Sequence, residues 1–145
     1  MRSVDKSVLV RYSAQQMYDL VERIEDYPKF LPWCGGVAIL QREPARTLAK
    51  IDIDFHGVRA HFTTANRNRP PERIVVELVN GPFRRLDGTW QFLGLEPDAC
   101  KVEFKLDYEF ATPVLEALIG PVFSRIANSF VDAFVKRAAA VYGSR

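Results

Sequence analysis

The sequence of 145 residues predicts an α+β domain in which a curved antiparallel sheet packs against one long C-terminal helix. Turn-forming Pro and Gly residues recur between residues 37 and 110, at the spacing that separates consecutive strands. The last of these strands alternates strictly between apolar and polar residues, as expected when water lies on one face of a sheet. Helical periodicity then continues to the C-terminal end.

The N-terminal third predicts a strand followed by two short helices. Valines on one parity indicate a strand over residues 3–10. Ser13 and Gln16 form a capping box, which predicts an amphipathic helix of about eleven residues. Asp26 is predicted to cap a second short helix. The apolar segment 30–33 then leads into a pair of glycines.

About six consecutive strands and a long helix account for the remainder. The clearest strands are 47–56 and 100–110, each with one apolar and one mostly charged face. Thr112 is predicted to cap the helix with Pro113 in its first position, and Pro121 is expected to kink or break it. The apolar stripe predicted to face the sheet consists of Phe123, Ile126, Ala127, Phe130, Phe134 and Val141.

Composition places the chain among soluble globular proteins. Hydrophobic residues make up 48% and charged residues 26%, with a formal net charge of +2. The longest uncharged run is shorter than the ~20 apolar residues of a membrane-spanning helix, which predicts no transmembrane segment. Asp5 and Lys6 interrupt the region where a secretory signal would be apolar. We therefore expect a single domain over residues 1–145 in the cytoplasm, with contact to the surface of the inner membrane left open.

The sequence predicts neither a catalytic nor a metal site. Cys34 and Cys100 have no second ligand at metal-binding spacing and are expected to be packed thiols. His56 and His61 are the obvious acid-base candidates. Their parities place them on the outer face of the sheet or in solvent, so we expect no enzymatic activity.

Four segments together resemble one known family. They are YSAQQMYDLVERIEDYPKFLPWC at 12–34, NGPFRRLDGTWQF at 80–92, CKVEFKLDYEF at 100–110 and FSRIANSFVDAFVKRAAAVYG at 123–143. The chain resembles the coenzyme Q-binding START-domain family of the START-like helix-grip superfamily, a family that includes the ribosome association toxin RatA. The resemblance covers nearly the whole chain, and the pairing of FLPWC with GPFxxLxGxW is its most specific part.

The resemblance implies a sheet of six to seven strands wrapped around the C-terminal helix, with a cavity between them. It implies non-enzymatic binding of ubiquinone or a related isoprenoid lipid in that cavity, supporting respiratory electron transport, with no further cofactor. The alternative that it implies is a toxin that binds the large ribosomal subunit, blocks subunit association and inhibits translation.

The candidate cavity residues are mostly aromatic side chains on inward parities, and a solid core is the competing interpretation. They are Phe62, Trp90, Phe104, Tyr108, Phe110, Phe123, Ile126, Phe130 and Phe134. The segment Phe30, Leu31, Pro32 and Trp33 is predicted to be a lid over the cavity, a membrane-touching tip or a simple plug of the core. Tyr108 and Asn128 are the polar groups predicted near the head of a quinone.

A concentration of arginine predicts an anion or RNA contact. Six arginines and two acids lie between residues 57 and 86, and two turns hold most of them. If both turns meet at one end of the sheet, their arginines would contact ribosomal RNA or anionic headgroups. The candidates are Arg67, Arg69, Arg73, Arg84 and Arg85, and a solvated charged rim is the alternative.

Overall fold

A computed structural model describes residues 2–144. The strands are β1 (Arg2–Val10), β2 (Cys34–Glu43), β3 (Arg46–Phe55), β4 (Val58–Arg69), β5 (Arg73–Asn80), β6 (Phe83–Glu96) and β7 (Ala99–Phe110). The helices are α1 (Ala14–Glu22), a 3₁₀ helix (Ile24–Lys29) and α2 (Pro113–Tyr142). This order confirms the predicted α+β class.

All seven strands form one antiparallel sheet in the order β1-β7-β6-β5-β4-β3-β2. Strands β2 to β7 follow one another as hairpins, and β1 pairs along β7. The alternation read from residues 100–110 is confirmed, because every second residue from Cys100 to Phe110 is buried. Those side chains form the inner face of the curved sheet, and α2 packs against them.

Helix α2 begins where the sequence predicts. The Thr112 hydroxyl accepts a hydrogen bond from the Leu115 backbone nitrogen at 3.1 Å, and Pro113 occupies the first turn. Of the two outcomes predicted at Pro121, a kink or a break, the break is wrong, because the helix continues for 30 residues. Buried residues on both sides of Pro121 anchor the helix, and the carbonyl that loses its partner belongs to exposed Ala117, where water can bind it.

The stripe of α2 that faces the sheet is buried as predicted up to Phe134, with Phe130 only half-buried. Val141 is not part of it, since its side chain is 44% exposed and Ala138 takes the next inward position. Seven residues bring a helix back to nearly the same face, so periodicity does not explain this exposure; Val141 lies in the last turn of α2, which ends at Tyr142.

The two short N-terminal helices cover one end of the space between the curved sheet and α2. Both hydrogen bonds of the predicted capping box at Ser13 are present. Asp26 does not cap the second helix, which begins at Ile24 with no side-chain cap, and Asp26 instead pairs with Lys29 at 3.1 Å. The Tyr142 hydroxyl donates to the Gln16 carbonyl at 3.0 Å and ties the end of α2 to α1.

Among the helices of residues 2–144, α2 is long and apolar enough to cross a membrane by length and composition. The buried central helix of a globular fold passes the same test. The expected lack of a transmembrane segment therefore stays a prediction.

Candidate functional site

An apolar cavity of about 80 Å³ lies between the inner face of the sheet and α2. Six of the nine predicted cavity residues line it, namely Phe62, Trp90, Phe104, Phe123, Ile126 and Phe130. Trp33 of the predicted lid also lines it, as do Gly88 and Ala127. The small residues leave room that a larger side chain would fill, and they explain why the wide rings around them do not close the space completely.

The other three predicted residues pack beyond the two ends of the cavity. Tyr108 and Phe110 pack against Phe83 and Phe123 under the first half of α2, where the centroids of the Tyr108 and Phe123 rings lie 4.8 Å apart in an edge-on contact. Phe134 packs on the Tyr27 ring at 5.4 Å, at the opposite end. All three point inward, but a parity pattern does not tell which inward residues border an open space and which fill the core.

Phe130 occupies the centre of an aromatic cluster on the cavity wall. Its ring centroid lies between 5.1 and 6.1 Å from those of Tyr27, Trp33, Trp90, Phe104 and Phe134. Most of these contacts are tilted or edge-on, the arrangement that aromatic pairs favour. Because Phe130 is only half-buried, it is the member of the cluster that can move with the least loss of packing.

Two polar side chains on β4, Thr64 and Asn66, interrupt the apolar wall, and the sequence analysis missed both. The Thr64 hydroxyl donates to Asn66 Oδ1 at 3.1 Å, and both residues are buried. Within residues 2–144, no acceptor takes a hydrogen bond from Asn66 Nδ2. The available signal was the shared parity of Phe62, Thr64 and Asn66, which places polar groups on an inward face. This arrangement leaves an amide donor at the cavity wall.

The predicted lid is closed in this structure. Leu31 and Trp33 are buried, Phe30 is half-buried and Pro32 is exposed. The Asp54 backbone nitrogen donates to the Trp33 carbonyl at 2.9 Å, which ties the segment to β3. In this position the segment plugs the end of the grip, and its role as a moving lid stays a prediction.

The predicted polar pair near a ligand head does not form. Asn128 is exposed on the far side of α2, where its amide donates to the Ser124 carbonyl at 2.8 Å, so that prediction is wrong. Tyr108 is buried, and burial is the main cause that raises the pKa of its hydroxyl. It lies behind Phe123 and does not line the cavity.

The five candidate arginines do not form one patch. Successive hairpin turns lie at opposite ends of a sheet, so the turn after β4 and the turn after β5 are separated by the length of β5, about 26 Å at 3.3 Å per residue. Arg67, Arg69 and Arg73 lie toward one end, and Arg84 and Arg85 lie at the other. The expectation that both turns meet at one end is therefore wrong.

Carboxylates lie beside most of these arginines. Arg67 pairs with Glu77 at 2.5 Å and Arg85 with Asp87 at 2.6 Å. Looser pairs join Arg69 to Glu72 and Arg84 to Glu109, both at 3.8 Å. Neighbouring acids thus reduce the positive potential that the sequence count suggested.

The acid-base candidates lie outside the cavity. His56 and His61 are both exposed, as their parities predicted. Cys34 and Cys100 are free and buried, and burial raises the pKa of each thiol, that of Cys100 to about 11. Within residues 2–144, no three His, Cys, Asp or Glu side chains come together as a metal site. The one titratable side chain among the lining residues is Tyr27, whose hydroxyl donates to the Val21 carbonyl at 2.6 Å.

The sequence pattern of the family described as polyketide cyclase / dehydrase and lipid transport matches residues 10–135. The chain belongs to this family. The match spans every strand from β2 to β7 and most of α2.

Curated relatives cover the whole chain. It is 42% identical over 145 residues to the persistence and stress-resistance toxin PasT of Escherichia coli O6:H1, covering 100% of this chain and 92% of that protein. It is 41% identical over 143 residues to the ribosome association toxin RatA of Vibrio cholerae, covering 99% of both. Mitochondrial coenzyme Q-binding protein COQ10 homolog B of Xenopus laevis is 28% identical over 142 residues, which are 95% of this chain and 58% of that protein.

Solved structures confirm the START-like helix-grip fold. A START superfamily protein from Mycobacterium smegmatis superposes with a TM-score of 0.73 at 26% identity, covering 93% of this chain and 95% of that one. The Zhui aromatase/cyclase from Streptomyces sp. R1128 superposes with a TM-score of 0.79 at 16% identity over 99% of both chains. At that identity, the second similarity concerns the fold alone.

Proposed function

We propose that this protein binds one isoprenoid quinone, ubiquinone or a close analogue, in the cavity between the sheet and α2. The observation on which this proposal depends is the free amide of Asn66 in an otherwise apolar wall. A quinone presents carbonyl acceptors on a flat apolar ring, and Asn66 Nδ2 is a suitable donor for one of them. The name of the COQ10 relative and the lipid-transport description of the family support the same ligand class.

The cavity must widen before it can hold such a ligand. Its volume is about 80 Å³, whereas sites for small molecules usually enclose about 300–1,000 Å³. We infer that the segment 30–33 swings outward and that Phe130 follows. Exposing Leu31 and Trp33 costs roughly 1.5–3 kcal/mol for each side chain, and burying a comparable apolar area of prenyl chain offsets this cost.

Binding without chemistry fits the composition of the wall. Thr64 and Asn66 do not titrate near neutral pH, and burial raises the pKa of Tyr27, so its hydroxyl stays protonated. No general base therefore faces the proposed ligand from the described lining residues. We propose a carrier or sequestering protein of the cytoplasm that supports respiratory electron transport, and not an enzyme.

Tryptophan fluorescence tests the proposal directly. The chain has two tryptophans, Trp33 and Trp90, and both line the cavity. Titration with a short-chain ubiquinone should quench most of the emission and saturate at one quinone per chain. Quenching that rises linearly without saturation would reflect random collision and would refute the proposal.

A second function is favoured by a separate observation. PasT of Escherichia coli O6:H1 and RatA of Vibrio cholerae match this chain over nearly its full length at 41–42% identity, above the 28% of the coenzyme Q-binding relative. We propose association with the large ribosomal subunit as an activity that can coexist with ligand binding. Adding the protein to separated subunits and following their association on sucrose gradients tests it, and unchanged association at a large molar excess would refute it.

A further inference from the structure

A groove of about 650 Å³ runs along the outer side of α2, beside the segment 30–33. We call it the basic groove, since its rim includes Lys29, Arg125, Lys136 and Arg137 and only one acid, Asp132. Its floor is apolar and includes Phe30, Trp33 and Ile126. A groove that combines cations with an apolar floor suits an anionic partner that also offers apolar surface.

The cations of the basic groove are less neutralised than the arginines of the sheet. In the described part of the chain, no carboxylate lies within 4 Å of the charged nitrogens of Arg125, Lys136 or Arg137. Lys29 has one partner, Asp26, at 3.1 Å. This surface is therefore a better place to attract an anion than the sheet arginines, most of which have acidic neighbours.

The spacing of the cations indicates a partner with several negative charges. Arg125 and Lys136 are both exposed and lie eleven residues apart, which is about three helical turns. They therefore project from the same side of α2 at a separation of about 16 Å, given 1.5 Å per residue. One phosphate group cannot contact both of them, whereas an array of headgroups can.

The aromatic rings of the groove favour a lipid surface over a nucleic acid. The Arg125 guanidinium covers the Phe55 ring at 5.9 Å, and that of Arg137 covers Phe30 at 5.1 Å. These rings are not free to stack on bases, which is how single-stranded nucleic acids are usually held. Pro32 is exposed at the tip of the neighbouring segment and offers apolar surface to a bilayer.

The basic groove also adjoins the cavity. Trp33 and Ile126 line both spaces and form the partition between them. We propose that the basic groove docks the protein on anionic phospholipid headgroups, so that the segment 30–33 faces the bilayer where the cavity would open. This inference rests on the proposed binding of a hydrophobic ligand, because docking in this orientation would let that ligand pass between bilayer and cavity.

Sedimentation with vesicles tests the docking surface. The wild-type chain should bind vesicles that contain phosphatidylglycerol and should not bind vesicles of phosphatidylcholine alone. Arg125→Glu with Lys136→Glu should weaken binding at least ~25-fold, at about fivefold for each cation removed from an anionic surface. The matched control, Arg84→Glu with Arg85→Glu, makes the same change in net charge on the sheet and should retain binding.

Equal loss in both double variants would indicate nonspecific attraction and would overturn the proposal. If the groove variant binds the anionic vesicles as well as the wild type does, the proposal is wrong. The same holds if the groove variant loses binding to single-stranded RNA, measured in parallel, while its binding to vesicles is unchanged. The quinone titration separates this proposal from the proposed function. A groove variant that still binds quinone to saturation but no longer binds vesicles supports the docking surface. A wild-type chain that binds vesicles but binds no quinone refutes the proposed quinone binding and leaves the docking surface standing.

Discussion

Gly88→Ala adds one methyl group to the wall of the cavity without a backbone conflict. A Cβ atom at this position would lie 3.3 Å from Leu106 Cδ1 and 3.5 Å from Val76 Cβ. The first contact is slightly short, but Leu106 Cδ1 is the end of a flexible side chain and can move by a few tenths of an ångström. The substitution should therefore stabilise the fold while it narrows the cavity.

The magnitude follows from two contributions. Replacing Gly by Ala restricts the unfolded chain and stabilises the native state by about 0.4–1 kcal/mol. Burying the added methyl group contributes about 0.8 kcal/mol. Gly94→Ala is the matched control, because it lies on the same strand with no atom within 4 Å of the new Cβ. We expect the free energy of unfolding of Gly88→Ala to be about 0.8 kcal/mol higher than that of Gly94→Ala.

Urea denaturation measures this difference, and the quinone titration is run on the same two variants. Gly88→Ala should weaken quinone binding because the methyl group occupies ligand space, whereas Gly94→Ala should leave it unchanged. A Gly88→Ala chain no more stable than Gly94→Ala would show that the wall has no usable space. Unchanged quinone affinity in Gly88→Ala would show that the ligand does not bind there.

Three further predictions follow from particular side chains. Asn66→Leu should weaken quinone binding about tenfold through loss of one hydrogen bond, as the fluorescence titration would show, and unchanged affinity would exclude the amide as donor. The hydrogen bond from Arg42 lowers the pKa of Glu25 in the folded chain. The ionised carboxylate therefore stabilises the fold at pH values above its unfolded pKa of about 4.5, and this stabilisation is lost as the pH falls through the lower pKa of the folded state. Glu25→Gln should therefore lower stability at pH 7 by less than about 1 kcal/mol, since the pair is exposed, and this deficit should shrink as the pH falls through the lowered pKa of Glu25; a deficit that does not change with pH would contradict this. Burial raises the pKa of both thiols, so Cys34 and Cys100 should react with a disulfide reagent at pH 8 far more slowly in the native than in the unfolded chain.

The sequence predicted the fold well because its main elements have strong local signals. The alternation over 100–110 and the cap at Thr112 depend on period and on neighbouring residues, and the structure has both. Pro121 was misjudged because tertiary packing on either side of it holds the helix together against a local preference. Asp26 was misjudged for a similar reason, since its side chain found a partner in Lys29.

The candidate site was predicted less completely. Parity identified which rings point inward but not which ones border open space, since that depends on how Gly88, Ala127 and their neighbours pack. Thr64 and Asn66 were overlooked because polar residues on a strand usually face water. The placement of Arg84 relative to Arg67 depends on hairpin topology, in which consecutive turns alternate between the ends of the sheet.

The most direct test is to identify what the protein holds in its own cell. The chain would be isolated without detergent, extracted with organic solvent and analysed by mass spectrometry, beside the Gly88→Ala variant treated identically. The cavity described here predicts an isoprenoid quinone at up to one molecule per wild-type chain and a lower content in the variant. Wild-type protein with no more quinone than an unrelated protein purified in parallel would contradict the proposed function.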